Sequence, residues 1–176
     1  MIKGRISGRM RGRAILAGLV LTALVAEKSP EALGTAYQIS LPVMALGCAA
    51  TNGSAGEYLI RYVAQWSVVQ GSKHALGETE INARPRGGIH GMPSGHTATA
   101  VFGASRLVHE CIARQPVIKG LVLLSAGFVG SSRIETGWHD IWQVLTGALI
   151  GWGGDRLFRR RLRRWWQARQ HSKLTQ

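Results

Sequence analysis

Two cysteines in 176 residues are too few for a disulfide scaffold, and Cys48 and Cys111 both fall in apolar stretches, where a buried free thiol is the expectation. Charge is scarce as well. Only 18% of residues are charged against 45% hydrophobic, too apolar a mixture for an intrinsically disordered chain. Acidic residues are missing from both ends: 1–13 carries Lys3, Arg5, Arg9, Arg11 and Arg13 with no Asp or Glu, and 156–176 carries Arg156, Arg159, Arg160, Arg161, Arg163, Arg164, Arg169 and Lys173, again with none. The intervening 14–155 holds nine residues of each sign, so the whole net charge of +13 sits in two tails. A globular nucleic-acid binder lines a folded face with its basic residues, so no nucleic-acid partner is expected. Strict apolar–polar alternation is absent too, which removes half-buried strands, and there is no internal repeat or low-complexity segment.

What is present is a series of six apolar segments: 14–26, 34–51, 55–70, 95–113, 117–131 and 140–158, only the second of which contains a proline, Pro42. Their pattern predicts six helices separated by punctuated loops, the longest at 71–94. A spanning helix wants about 20 mostly apolar residues, and several segments are shorter or carry Glu57, Arg61, Arg106 or Glu110; the mean hydropathy of +0.03 is low. Three features nonetheless favour a membrane bundle. Basic tails at both ends of an even number of spans satisfy the positive-inside rule. Gly147 and Gly151 have the spacing that lets membrane helices approach closely. Trp165 and Trp166 follow an Arg-rich run, as in a helix lying on a charged bilayer. The opening residues also read as a secretory signal ending near Leu24-Val25-Ala26; an uncleaved first span completes the symmetrical topology. The resulting organisation is a basic cytoplasmic tail at 1–13, a six-helix membrane domain at 14–158, and a basic amphipathic tail at 159–176.

With cytoplasmic tails, the loops 71–94 and 132–139 share the outer side, and they contain nearly all the reactive residues. Ser94 before a helical run is an N-cap, and the free backbone N–H groups there suit a phosphate. Gly95 admits a ligand close to that backbone, and His96 in the first turn is placed to donate a proton. Arg84 and Arg133 offer planar forks matched to phosphate oxygens, and His139 follows Arg133 after five intervening residues. Singly, each has a plain explanation: a cap, an interface anchor, an interfacial His beside Trp138 and Trp142. As an ordered set they suit phosphoryl transfer, one His attacking and the other protonating the leaving oxygen while cations hold the equatorial oxygens.

Arg84-Pro85, Pro93-Ser94-Gly95-His96 and Ser132-Arg133 with His139 together resemble the three-part signature of the type 2 phosphatidic acid phosphatase superfamily, which also includes bacterial acid phosphatases and vanadium haloperoxidases. The resemblance spans roughly residues 56–158. It implies an all-α, six-helix integral membrane fold with its site at the outer (periplasmic) surface, and it needs neither metal nor cofactor. By this likeness His139 is the nucleophile that becomes a phosphohistidine, His96 is the general acid, and Arg84, Arg133, Ser94 and the Gly95 N–H bind phosphate. Two positions depart from the pattern. Where the family has a Lys seven residues before the Arg, this chain has Gly77; Lys73, eleven residues before Arg84, takes that role only if four residues loop out, with His74 as its alternative neighbour. Where the family has an Asp four residues after the nucleophile, this chain has Gln143. Gln143 lies one turn beyond His139 on the same helical face, so its amide oxygen can accept from Nδ1–H without stabilising an imidazolium as a carboxylate does. Asp140 and Glu135 are the other candidates for that support.

The implied function is a metal-independent phosphatase acting through a phosphohistidine on a lipid phosphate or diphosphate, of polyprenyl diphosphate, phosphatidylglycerol phosphate or lipid A type. The membrane lipid is the expected partner and a bacterial-type inner membrane the expected location, with both termini cytoplasmic. The alternatives are a lipid phosphotransferase of the same fold and a catalytically impaired membrane protein that binds lipid phosphates.

Overall fold

The computed structural model describes residues 8–157. Lys3, Arg5, and the run from Arg159 to Lys173 with Trp165 and Trp166 lie outside the described residues, and with them most of the two basic tails. Six α-helices follow one another: α1 (Gly8–Val25), α2 (Pro30–Thr51), α3 (Ala55–Leu76), α4 (Gly95–Arg106), α5 (Pro116–Glu135) and α6 (Ile141–Arg156). No strand occurs among the described residues, so the all-α expectation stands.

Local chemistry sets the helix starts. Ser29 accepts from Ala32 N at 3.1 Å ahead of Pro30 in the first turn of α2, and Asp140 accepts from Gln143 N at 2.9 Å to cap α6. The ends differ from the sequence expectation in two useful ways. α3 runs to Leu76 and α5 to Glu135, so Lys73 and Arg133 stand on helical turns, where their backbones are rigid, instead of in loops. The segment expected as one helix over 95–113 is interrupted: α4 ends at Arg106 and gives way to a single π-helical turn over Leu107–Cys111.

That turn brings Cys111 against α2, where its sulfur is joined to Cys48 with the Cα atoms 6.2 Å apart. The expectation of two free thiols is therefore corrected. Both cysteines do occupy apolar surroundings, but 63 residues of separation hold no information about which helix faces meet.

The helices alternate in direction, and α4 is the hub, packed between α2, α5 and α6. Gly147 and Gly151 make its contact with α6 close. A Cβ at Gly151 would stand 2.2 Å from the Ala98 carbonyl oxygen, and one at Gly147 2.4 Å from that of Ser94. The small-residue spacing thus serves the helix pair that carries the two site histidines.

At the end of the bundle away from the long loop, the charges that argued against spanning face one another. Glu57 pairs with Arg61 at 2.9 Å, and Arg106 with Asp155 and Glu110 at 3.0 Å each and with Glu57 at 3.5 Å. Arg61 also donates to the Leu157 and Gly154 carbonyls at 2.7 and 2.9 Å, satisfying orphan acceptors at the C-terminus of α6. α3 shows the pattern most clearly. Glu57, Arg61, Gln65, Val69 and Lys73, spaced by four, are buried, while Leu59, Ile60, Val63, Trp66 and Val68 are exposed. The charged and amide side chains of that stripe point inward while large apolar ones face outward, and Val20, Leu21, Leu24, Val43, Leu124, Leu149 and Trp152 extend the outward apolar surface over the other helices. By length and composition α2 and α5 are apolar enough to cross a membrane.

Candidate active site

At the loop end of the bundle a cavity of about 590 Å³ opens among α2, α3, α4, α5 and the segment that leads into α6. Lys73, Arg84, Gly95, His96, Arg133 and His139 all line it. The structure therefore brings together six of the eight site residues expected from the sequence. Ser94 and Gln143 stand just behind the wall.

His139 is 5% exposed, and its Nδ1 lies 3.0 Å from Gln143 Oε1. The direction of that bond follows from the far side of the amide. Gln143 Nε2 donates to the carbonyls of Ala83 at 2.7 Å and Ile81 at 3.2 Å. Carbonyls only accept, so the nitrogen must face them and the oxygen must face His139. Nδ1 accordingly carries the proton, and Nε2 keeps a free lone pair on the cavity side. Gly91 makes room for this arrangement, since a Cβ there would fall 2.6 Å from Gln143 Nε2 and 2.7 Å from Oε1. Asp140 is occupied as the α6 cap and Glu135 is exposed, so Gln143 is the residue bonded to His139. Burial, reinforced by the charges of Lys73 and Arg84, lowers the His139 pKa from 6.5 to about 4. The imidazole is neutral throughout the physiological range.

The cations are held by the 77–94 loop. Asn82 is fully buried and donates to the carbonyls of Lys73 at 2.9 Å and Gly77 at 2.6 Å while accepting from Met92 N at 3.0 Å. It ties the end of α3 to the segment leading into α4. His90, at φ 67°, turns its carbonyl inward, where both Lys73 Nζ and Arg84 Nη2 donate to it. Lys73 thus stands beside Arg84 although four residues are added between them relative to the family spacing, because α3 continues for a further turn. Gly77 ends that helix at φ 53° and has no side chain to offer. Beyond the apolar stretch of α3, burial and Arg84 lower the Lys73 pKa to about 8.

Arg84 lies 5.1 Å from the centre of the Trp138 ring, and Trp138 Nε1 donates to Glu31 Oε1 at 2.7 Å. Arg133 Nη2 donates to the Glu31 carbonyl at 2.6 Å and to Thr35 Oγ1 at 3.1 Å. The Nε groups of Arg84 and Arg133 are buried without a partner. Ser94 is fully buried, with its hydroxyl 3.0 Å from Thr97 Oγ1 and 3.5 Å from Thr97 N, so it organises the helix end whose Gly95 backbone faces the cavity.

Glu31, Thr35 and Gln38 of α2, Tyr62 and Gln65 of α3, Thr99 and Trp138 also line it and were not expected as site residues from the sequence. A signal for some of them exists: Glu57, Arg61, Gln65 and Lys73 on one face of α3, and Glu31, Thr35 and Gln38 one turn apart on α2, mark a polar stripe inside otherwise apolar helices. Among the described residues no group of three or more His, Cys, Asp or Glu is arranged to hold a metal ion.

A family model for the PAP2 superfamily matches residues 56–167, well over half of the chain. Among curated proteins, a lipid A 4'-phosphatase from Helicobacter pylori is similar, at 39% identity over 77 residues. That stretch is 43% of this chain and 37% of that protein, so the chain matches only about a third of its relative's length. No solved structure matches.

Replacing Gln143 by Glu tests the hydrogen-bond assignment. A carboxylate of the same length would set an oxygen against the Ala83 and Ile81 carbonyls, exchanging two hydrogen bonds for repulsion at a cost of roughly 1–3 kcal/mol. Gln143→Glu and Gln143→Asp are both expected to lower thermal stability and turnover. A gain in turnover for either would mean that the site lacks only negative charge.

Proposed function

The chain belongs to the PAP2 superfamily, and from that premise we propose that it is a membrane phosphatase that removes phosphate from a lipid phosphate or diphosphate by way of a phosphohistidine. The observation that carries this reading is the cavity itself: a neutral His139 with its Nε2 lone pair directed inward, Lys73, Arg84 and Arg133 around it, and two guanidinium Nε donors without a partner. The lipid A 4'-phosphatase relative supports a lipid as the carrier of the phosphate.

In this reading the phosphate sits among the three cations and the Gly95 N–H at the start of α4, which Ser94 caps. His139 Nε2 attacks phosphorus. The bond from phosphorus to the lipid oxygen breaks, and that oxygen takes a proton from His96. The Nδ1–H bond to Gln143 keeps the ring aligned during attack. Water then attacks the phosphohistidine, His96 accepts its proton, and inorganic phosphate leaves. The charge developing on the equatorial oxygens is met by Lys73, Arg84 and Arg133, so the chemistry asks for no metal or cofactor. The unpaired Nε donors favour an anion at the site.

The apolar exterior supports a bundle that crosses the membrane through the apolar parts of its helices, because outward-facing Leu, Val, Ile and Trp on nearly every helix exceed what a soluble surface tolerates. The basic ends, Arg9, Arg11 and Arg13 among them, support a reading in which both termini are cytoplasmic and the cavity faces outward from a bacterial-type inner membrane.

Purified protein is expected to release phosphate from lipid phosphates in EDTA, and His139→Ala to lower that release by at least about three orders of magnitude, as loss of a covalent nucleophile does. Retained activity in the variant would remove the mechanism. His139 attacks unprotonated and His96 donates from its protonated form, and burial lowers both pKa values to about 4, so kcat/KM should fall on both sides of that acidic region, below it as His139 gains a proton and above it as His96 loses one; an acid limb centred near 6.5 would contradict the His139 assignment.

A further inference from the structure

The cavity continues past the cations, and its deeper wall is polar. Gln65 on α3 and Thr99 on α4 are 4% and 6% exposed and line it together with Gln38 of α2. Gln65 stands eight residues before Lys73 on the same stripe, roughly 12 Å along the helix, so it lies well inside the bundle. Its Oε1 is buried and has no partner. A buried amide oxygen without a donor costs stability, and native proteins keep few of them. The stem of the side chain is packed against α6: a Cβ at Gly154 would stand 2.9 Å from Gln65 Cβ and 3.0 Å from Cγ.

Beside this polar zone the surroundings become apolar. A second cavity of about 230 Å³ shares Gln38, Tyr62 and Thr99 with the first and opens between α2 and α3 past Ile39, Val43 and Leu59, which face the exterior of the bundle. Cations, an unpaired amide and an outward-opening hydrocarbon-like groove thus adjoin one another.

We propose that Gln65 is a specificity residue, accepting a hydrogen bond from a hydroxyl or amide N–H on the part of the substrate that joins phosphate to hydrocarbon. The preferred substrates are then phosphorylated sugar or polyol lipids, and phosphates attached directly to a hydrocarbon chain are poor ones. The inference rests on the lipid phosphatase reading and sharpens it. Were the substrate a polyprenyl phosphate, the zone beyond the cations would meet only CH groups, and a buried amide there would be left unpaired in the complex, which is how polar sites reject analogues that lack the matching group.

The test compares kcat/KM for phosphate release by the full-length protein in detergent from an acylated glucosamine phosphate, phosphatidylglycerol phosphate and a polyprenyl phosphate. Wild type is expected to favour the first two over the third. Gln65→Met, close in volume, is expected to lower kcat/KM about ten- to hundred-fold for the donor-bearing lipids and to leave the polyprenyl phosphate within about twofold. The size of the loss on the glucosamine and glycerol lipids separates a sugar from a polyol as the group that Gln65 meets. A wild type that takes the polyprenyl phosphate equally well, or a variant that loses the same factor on all three, overturns the proposal while leaving the phosphatase reading intact. Folded protein that releases phosphate from none overturns both. Should Gln65→Met fail to fold, the wild-type preference decides alone.

Discussion

The side-chain amide of Gln143 is held from both ends, and the candidate site depends on that. Its nitrogen donates to two carbonyls of the long loop, its oxygen accepts from His139 Nδ1, and its backbone carbonyl accepts from Ser94 N at 2.9 Å. One residue thereby joins the loop, His139 and the start of α4. An amide does what a carboxylate there cannot: it offers a donor and an acceptor at once. The loop carbonyls have closed around it, with Gly91 leaving the space. Burial, with Lys73 and Arg84, lowers the proton affinity of His139, and the hydrogen bond to the Gln143 amide raises it only in part, less than a carboxylate there would.

A second constraint is the close approach of α4 and α6. Gly147 and Gly151 put the Ser94 and Ala98 carbonyls where a larger residue would force the helices apart. Because His96 starts α4 and His139 directly precedes α6, the spacing of the two histidines is set by these glycines. At the far end the Glu57–Arg61–Arg106–Asp155 cluster holds α3, α4 and α6 together with charges removed from solvent. Leaving any one of these buried charges unpaired costs about 3–5 kcal/mol, which fixes how the three helices are aligned along their length. Lys73, one α3 stripe away from this clasp, inherits its height from it.

Much of this was legible in the residues. Six apolar segments bounded by Gly, Pro and Ser produced six helices, since capping and periodicity are local. The ordered Arg84, Ser94-Gly95-His96, Arg133 and His139 marked the residues that meet in the cavity, because a short motif carries its own backbone geometry. Other features were not legible, for reasons that share a cause. Lys73 is brought beside Arg84 by one extra turn of α3, an end point that propensity does not locate. Glu57, Arg61 and Arg106 looked like obstacles to a membrane helix because composition counts charges and does not see them neutralise one another. The Cys48–Cys111 bond, the break after Arg106, and the roles of Glu31, Thr35 and Gln65 all depend on which faces of distant helices touch.

Sequence by itself determined the helices, their order and most of the residues that meet in the cavity, because hydrophobic period, caps and motif spacing act over a few residues. Tertiary structure alone decided which nitrogen of His139 is free, how Gln143 is oriented, where the cations converge and what lies beneath them. Those depend on donor and acceptor directions across helices whose positions only packing sets.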